Sequence, residues 1–219
     1  MPLATPAQIP VADLLRRLDN LMLDVDRVRW DAAERIDWLN DAAREIVLRR
    51  PAARALVQSH ALTAGTRQQC EAGASQLLNV VRNLGPAGQP GRAIGVTDLQ
   101  QMDRAAPDWH SGAAGATRQF MVDERNPVGF YVYPPAVDGA LVEVLVAAPP
   151  PAVTSSADAL DMRPEFLNAI INWALYRCHT KDSEYAQGAV ATQHYQAFTD
   201  AIGAPAQAAQ VNSSTGNNA

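Results

Sequence analysis

Apolar residues recur at helical spacing near both ends of this chain and at strand spacing through its middle. Val11, Leu14, Leu15, Leu18, Leu21 and Met22 fall on one stripe, which predicts a first helix within Val11–Leu23. Residues 1–10 hold three prolines and read as an extended arm. Asp31 then stands three residues ahead of Glu34, a capping box with Asp in the Ser/Thr place. Behind that cap Ala32, Ile36, Leu39, Ala43, Ile46 and Val47 form a second stripe. Glu34, Asp37, Asp41, Arg44 and Glu45 take much of the remaining circumference. Arg49 and Arg50 could be a basic patch. The simpler account is that they sit where the negative end of the helix dipole favours positive charge, just before Pro51 ends the helix. Residues 52–65 read as a further short helical turn ending at Gly65, so 11–65 are expected to be N-terminal helices.

From 66 to 151 the pattern changes to that of a β-rich insertion. Thr66–Glu71 is extended, Gln76–Val81 and Arg92–Thr97 read as strands, and GPAGQPG (85–91) is a loop. Asp98–Ala106 predicts a short helix halted by Pro107, and Ser111–Ala116 is a stretch of small residues. Phe120–Val122, Phe130–Tyr133 and Leu141–Val146 are strands rich in aromatic and β-branched residues, with Asp138-Gly139 as a hairpin signal. Two short connections between three strands predict an antiparallel meander, joined by the pieces at 66–71, 77–81 and 92–97.

Helical spacing returns over 160–203 as a C-terminal helical hairpin. Pro164 and Glu165 suit a first turn, and two stripes follow: Phe166, Ile170, Trp173, Arg177 and Leu167, Ile171, Ala174, Cys178. A last helix is predicted over Ser183–Ile202 through Ala191, Tyr195, Phe198 and Ile202, with Gly203 as its stop. Residues 204–219 are a low-complexity tail with too little apolar bulk to offset their own ordering entropy. The expected class is α+β, mainly α: a helical bundle with an antiparallel β-sheet insertion and extended terminal arms.

Composition narrows the function. The 219 residues are 47% hydrophobic and 19% charged, enough for a real core, although alanine inflates the count. Net charge is −5, with 17 arginines and one lysine, Lys181, so binding nucleic acid by charge neutralisation is disfavoured. Cys70 and Cys178 stand far apart with no CxxC pair, which predicts free thiols in a reducing, cytoplasm-like setting. The start, MPLATPAQIPVADLL, lacks the basic and apolar regions of a signal peptide, and no stretch of about 18 apolar residues could span a membrane.

Catalytic and ligand motifs are not found. His60, His110, His179 and His194 form no HExxH or other metal spacing, and Cys178 and His179, being adjacent, point apart on a helix. No GxSxG, GxxxxGK[ST] or strand-linked GxGxxG occurs. Asp123 and Glu124 read as a solvated turn rather than an acid/base pair, and Asp158 and Asp161 as caps. Phe130, Tyr131 and Tyr133 could stack on bases, but with few basic neighbours they fit a core or subunit interface better, as does Trp173. No cofactor or metal is expected, and the protein is read as non-enzymatic.

The runs WLNDAAREIVLRRP (38–51), LLNVVRNLG (77–85), FYVYPP (130–135), LYRCHTKDSEYAQGA (175–189) and HYQAF (194–198) resemble, in that order, the head-to-tail adaptor proteins of tailed bacteriophages. The resemblance covers roughly residues 10–203. It implies a closed homo-oligomeric ring, usually of twelve copies, beneath the portal. It implies a C-terminal segment, here about Gly203–Ala219, that docks on the portal through residues such as Pro205, Gln207, Gln210, Val211 and Asn212. The tail tube or nozzle would meet the other face and DNA would pass through the centre without sequence-specific binding. The location would be the virion head–tail junction, assembled in the host cytoplasm with no membrane partner. The other reading left open is a different head- or tail-completion protein of the particle.

Overall fold

The computed structural model describes residues 8–123, 125–181 and 187–203. The helices among them are α1 (Val11–Leu21), α2 (Ala32–Arg49), α3 (Leu99–Ala105), α4 (Leu167–Thr180) and α5 (Gly188–Gly203). The strands are β1 (Ile9–Pro10), β2 (Ala55–Ala61), β3 (Gly65–Gln69), β4 (Gln76–Leu84), β5 (Pro90–Ala93), β6 (Gly95–Val96), β7 (Gln119–Asp123), β8 (Asn126–Ala136), β9 (Leu141–Ala147) and β10 (Ala159–Leu160). They group into two compact units, a helical one drawn from Met1–Ala53 with Pro150–Ala219, and a sheet unit, Arg54–Pro149.

The helical unit follows its sequence signals closely. Val11, Leu14, Leu15 and Leu18 of α1 are buried on one stripe. Asp31 caps α2, its Oδ1 accepting the Glu34 N–H at 2.8 Å. The short ladder of β1 with β10 pairs Ile9 with Leu160, and the Val11 N–H donates to the Asp158 carbonyl at 3.0 Å. Asn40 of α2 bonds Val153 in both directions, donating to its carbonyl at 2.8 Å and accepting its N–H at 2.9 Å. That pair holds the returning chain against α2. Asp158 caps a tight turn instead of a helix, accepting the N–H of Thr154 and Ser155.

The sheet unit overturns the expectation of a mainly α helical bundle. Ten strands in three sheets accompany five helices among the described residues. Eight of those strands form two four-stranded sheets, β2-β9-β4-β5 and β3-β8-β7-β6. Residues 55–61, expected to be helical, are strand β2, which pairs antiparallel with β9 from Ala55↔Ala147 to Ala61↔Leu141. The alanines and leucine of ALVQSHALTAG favour a helix locally, but a partner some eighty residues away supplies a full ladder of hydrogen bonds.

The expected meander is also split. β7 and β8 do form an antiparallel pair, but β8 and β9 lie in different sheets. The chain runs β2 to β3 and β8 to β9 as one antiparallel ribbon that bends over at 62–64 and 137–140. At the bend the Leu62 N–H donates to the Ala140 carbonyl and the Gly139 N–H to the Leu62 carbonyl, both at 2.8 Å. Gly139 takes the left-handed backbone, φ 75°, that this corner requires. The Asp138-Gly139 signal therefore marks a turn between sheets. The insertion is not wholly antiparallel either, because β6 runs parallel to β7. Leu77 and Val80 of β4, Val142, Val144 and Val146 of β9, Phe120 of β7, and Phe130 and Val132 of β8 meet in one core between the two sheets.

Candidate functional site

No cluster of reactive groups marks a centre, so the site is sought among packing surfaces. The first surface is the seam between α4 and α5. Both helices present aromatic side chains at one-turn spacing, and these interlock: Trp173 with Phe198 at 4.9 Å between ring centres, and Tyr176 with Tyr195 at 5.1 Å. Arg49, from the last turn of α2, lies 5.5 Å from the Tyr195 ring centre and 5.4 Å from that of Phe198. Its Nη2 donates to the Tyr195 hydroxyl at 2.9 Å and its Nε to Glu45 at 2.6 Å. Arg49 thus does more than complement a helix dipole. Three helices fix the end of α5, where the chain leaves for its C-terminal tail. Trp173 is half-buried in this seam.

The second surface is the outer face of β8. Its alternation sends Phe130 and Val132 into the core between the sheets. Tyr131 and Tyr133 point the other way, onto a smaller cluster of Met102, Trp109 and Met121. Phe130 is 1% exposed and has no area left for a neighbour, whereas Tyr131 and Tyr133 are part-exposed. His110 stacks on Trp109 with 3.7 Å between ring centres, and its Nδ1 lies 2.8 Å from the Thr66 hydroxyl. That contact gives His110 a packing role. Pro205, Gln207, Gln210, Val211 and Asn212 lie outside the described residues, as does Glu124.

The remaining titratable groups are quiet. His179 and His194 stack in parallel 5.8 Å apart between α4 and α5. Burial lowers both imidazoles below their ordinary range, and His194 is lowered further by the charge of His179. The His60 imidazole is lowered by burial, against the pull of Glu71. Burial raises both thiols, and pushes that of Cys178 up to about 12, the opposite of what a nucleophile needs. Among the described residues no three His, Cys, Asp or Glu side chains are placed to hold a metal. No described helix is long and apolar enough to cross a membrane.

A sequence profile of the SU10 adaptor protein family matches residues 9–219. The chain belongs to that family. No curated protein matches it. An SU10 adaptor is a structural protein of the phage particle, consistent with a place between head and tail.

Two features of this adaptor escape sequence reasoning. Arg35 occupies a polar-looking position in α2 but is wholly buried. Its guanidinium bonds Asp19, Asp24 and the Trp30 carbonyl. The only hint in the sequence is the density of acids and arginines in DNLMLDVDRVRW, which reads equally well as solvated loop. The second is the exposure of Leu21, at the end of α1, and of Leu23, Val25 and Val28 in the loop that follows it. Leu21 falls on the stripe of the first helix, and nothing in the spacing distinguishes a buried leucine from a displayed one.

Proposed function

We propose that this adaptor is the subunit of a ring that joins the portal of a tailed phage to its tail, with DNA passing through the centre. The family match along 9–219 carries the reading, because it spans both units and the tail rather than one motif. The ring is of about twelve copies, the usual number implied by the resemblance. Residues 203–219 follow the anchored end of α5 and dock on the portal. Val211 supplies apolar contact there, Pro205 stiffens the segment, and the Gln207, Gln210 and Asn212 amides hydrogen-bond. Each contact is weak alone and is multiplied by the number of copies. The opposite face of the ring receives the tail tube or nozzle. Tyr131, Tyr133 and Trp173 retain exposed area for neighbouring subunits. The protein works by burial between chains rather than by catalysis.

Truncation after Ile202 keeps the aromatic seam and removes the tail. The truncated chain is expected to give the circular dichroism spectrum of a folded subunit and to fail to co-sediment with portal particles. Normal co-sedimentation would remove the docking role of the tail. A full-length chain that ignores portal particles would remove the adaptor reading itself.

A further inference from the structure

One cleft of the sheet unit gathers positive charge with no acid to answer it. It encloses about 430 Å³. Arg92 of β5 and Arg118, one residue before β7, both stand in its wall, and no described aspartate or glutamate does. Both side chains are exposed, and neither has a carboxylate partner among the described residues. The whole chain carries a net charge of −5, so two unanswered cations in one lining run against its composition. A second cleft of the same unit, beside Val96 and Leu99, shows the opposite balance: Asp98 and Asp123 share its wall with Arg125.

The arginine cleft is braced. Arg92 lies on β5 of one sheet and Arg118 leads into β7 of the other, and one side chain ties the two segments together. Asn83 of β4 donates through Nδ2 to the Arg92 carbonyl at 3.0 Å and to the Thr117 carbonyl at 2.7 Å. Its Oδ1 accepts the Thr117 N–H at 3.1 Å. The Arg118 N–H donates to the Tyr133 carbonyl at 2.8 Å and the Gly115 N–H to the Pro135 carbonyl at 2.9 Å, which lays the segment before β7 along β8. That segment lines the cleft with Ala113, Ala114, Gly115 and Ala116, none of which has a side chain beyond Cβ. Backbone this bare lets a bulky ligand come close. Two guanidiniums beside such a wall suit a phosphate group, because each offers a planar fork of N–H donors to its oxygens.

We propose that this cleft is a phosphate-binding site that takes the sugar–phosphate backbone of DNA, with Arg92 and Arg118 as its cations. The site stands on the cleft itself; the choice of DNA as the source of the phosphate rests on the ring reading above. A volume of about 430 Å³ exceeds what a single phosphate fills and admits a stretch of backbone. Phosphate contacts position a strand without reading its bases. Two cations on an acidic chain hold it weakly, and salt screens the attraction, so DNA is guided without being kept.

The test is an NMR titration of the isotope-labelled full-length chain at low salt, with a DNA duplex in one arm and inorganic phosphate in the other. Cross-peaks of Arg92, Gly115 and Arg118 are expected to move in both arms, and at lower concentration with the duplex. Arg92→Gln and Arg118→Gln together should weaken duplex binding by about tenfold or more, and should reduce the slope of log affinity against log salt by about 2. Arg104→Gln removes an exposed arginine of the same unit from outside the cleft, and should change affinity by less than about twofold. Both arginines of the cleft are exposed and Asn83 meets only the backbone of Arg92, so the variants should keep the parent's circular dichroism spectrum. The site is overturned if neither ligand moves these peaks, or if Arg104→Gln weakens binding as much as the double variant does. Movement with phosphate and none with the duplex overturns DNA as the occupant. Failure to bind either ligand by a chain that still co-sediments with portal particles sinks the site and spares the adaptor reading. A chain that binds the duplex through these arginines but ignores portal particles keeps the site and sinks the ring.

Discussion

In the helical unit Arg35 is withdrawn from water and bonded to two carboxylates and a carbonyl, whereas in the sheet unit Arg82, paired with Glu143, keeps 38% of its side chain exposed. The contrast extends further. Arg16, Arg27, Arg44, Arg49 and Arg163 of the helical unit have carboxylate partners, while Arg17, Arg50 and Arg177 have none among the described residues. Arg67, Arg92, Arg104, Arg118 and Arg125 of the sheet unit have none among the described residues. The burial of Arg35 follows from how each unit satisfies its backbone. Strands of the sheet unit pair along most of their length, so its core can be aliphatic and aromatic. The segment from Met22 to Trp30 has no ladder or helix to join. The N–H groups of Val28, Arg29 and Trp30 are met by the Asp24 carboxylate, and that buried charge needs Arg35 beside it. Burial opposes the ionised form of Asp24, but the N–H groups of Arg29, Val28 and Trp30 together with Arg35 outweigh it and hold the carboxyl below its ordinary range. The network is a positioning device more than a source of stability.

The largest break in this contrast comes from removing its centre. Arg35→Met leaves Asp24 buried without its cation and Asp19 with Arg27 alone, and should cost about 3–5 kcal/mol in denaturant unfolding. Arg82→Ala in the sheet unit should cost under about 1 kcal/mol, since its ion pair is already in contact with water. Equal costs for the two would abolish the distinction drawn here.

Titration separates the units less sharply and with a definite sign. Imidazoles of His60, His179 and His194 are lowered from 6.5 in the folded chain. On acidification the unfolded chain therefore takes up protons first, and stability is lost as pH falls below about 6.5 toward the folded values. Asp24 is lowered from 3.8, so its contribution is intact through that window and disappears only as pH falls through its folded value. Replacing His194 by Gln should flatten the slope of unfolding free energy between about pH 6.5 and 5. An unchanged slope would mean that the α4–α5 seam is not where these protons act.

The smallest effect should fall at Leu23. Glycine relieves the left-handed backbone but adds freedom to the unfolded chain, so Leu23→Gly should change stability by less than about 1 kcal/mol. A loss of several kcal/mol would mean that Leu23 packs within its own chain.

How far the fold was legible depended on the range of the contacts. The α2 helix was readable because Asp31 and Glu34 act within one turn at its start, and Arg49 and Pro51 within one turn at its end. The aromatic and β-branched run Phe130 to Tyr133 was readable as a strand, but the partners of its two faces, a second sheet on one side and the Met102, Trp109 and Met121 cluster on the other, were not. Strand β2 was unreadable because its partner β9 lies far along the chain, and local preference in ALVQSHA points the wrong way. The adaptor kinship was legible only as a family likeness. Displayed and buried leucines carry the same side chain, and only packing tells Leu18 from Leu23.

The amino-acid sequence by itself determined the capped start and proline-stopped end of α2, the want of catalytic motifs and the adaptor kinship. Those properties are set by neighbours within a few residues or by the order of short runs. Tertiary structure alone decided that the insertion divides into two facing sheets, that Arg35 is buried, and that the loop above it is held with its leucines and valines outward. Each of these depends on which distant residue supplies a hydrogen bond or covers a surface, and spacing along the chain does not record that.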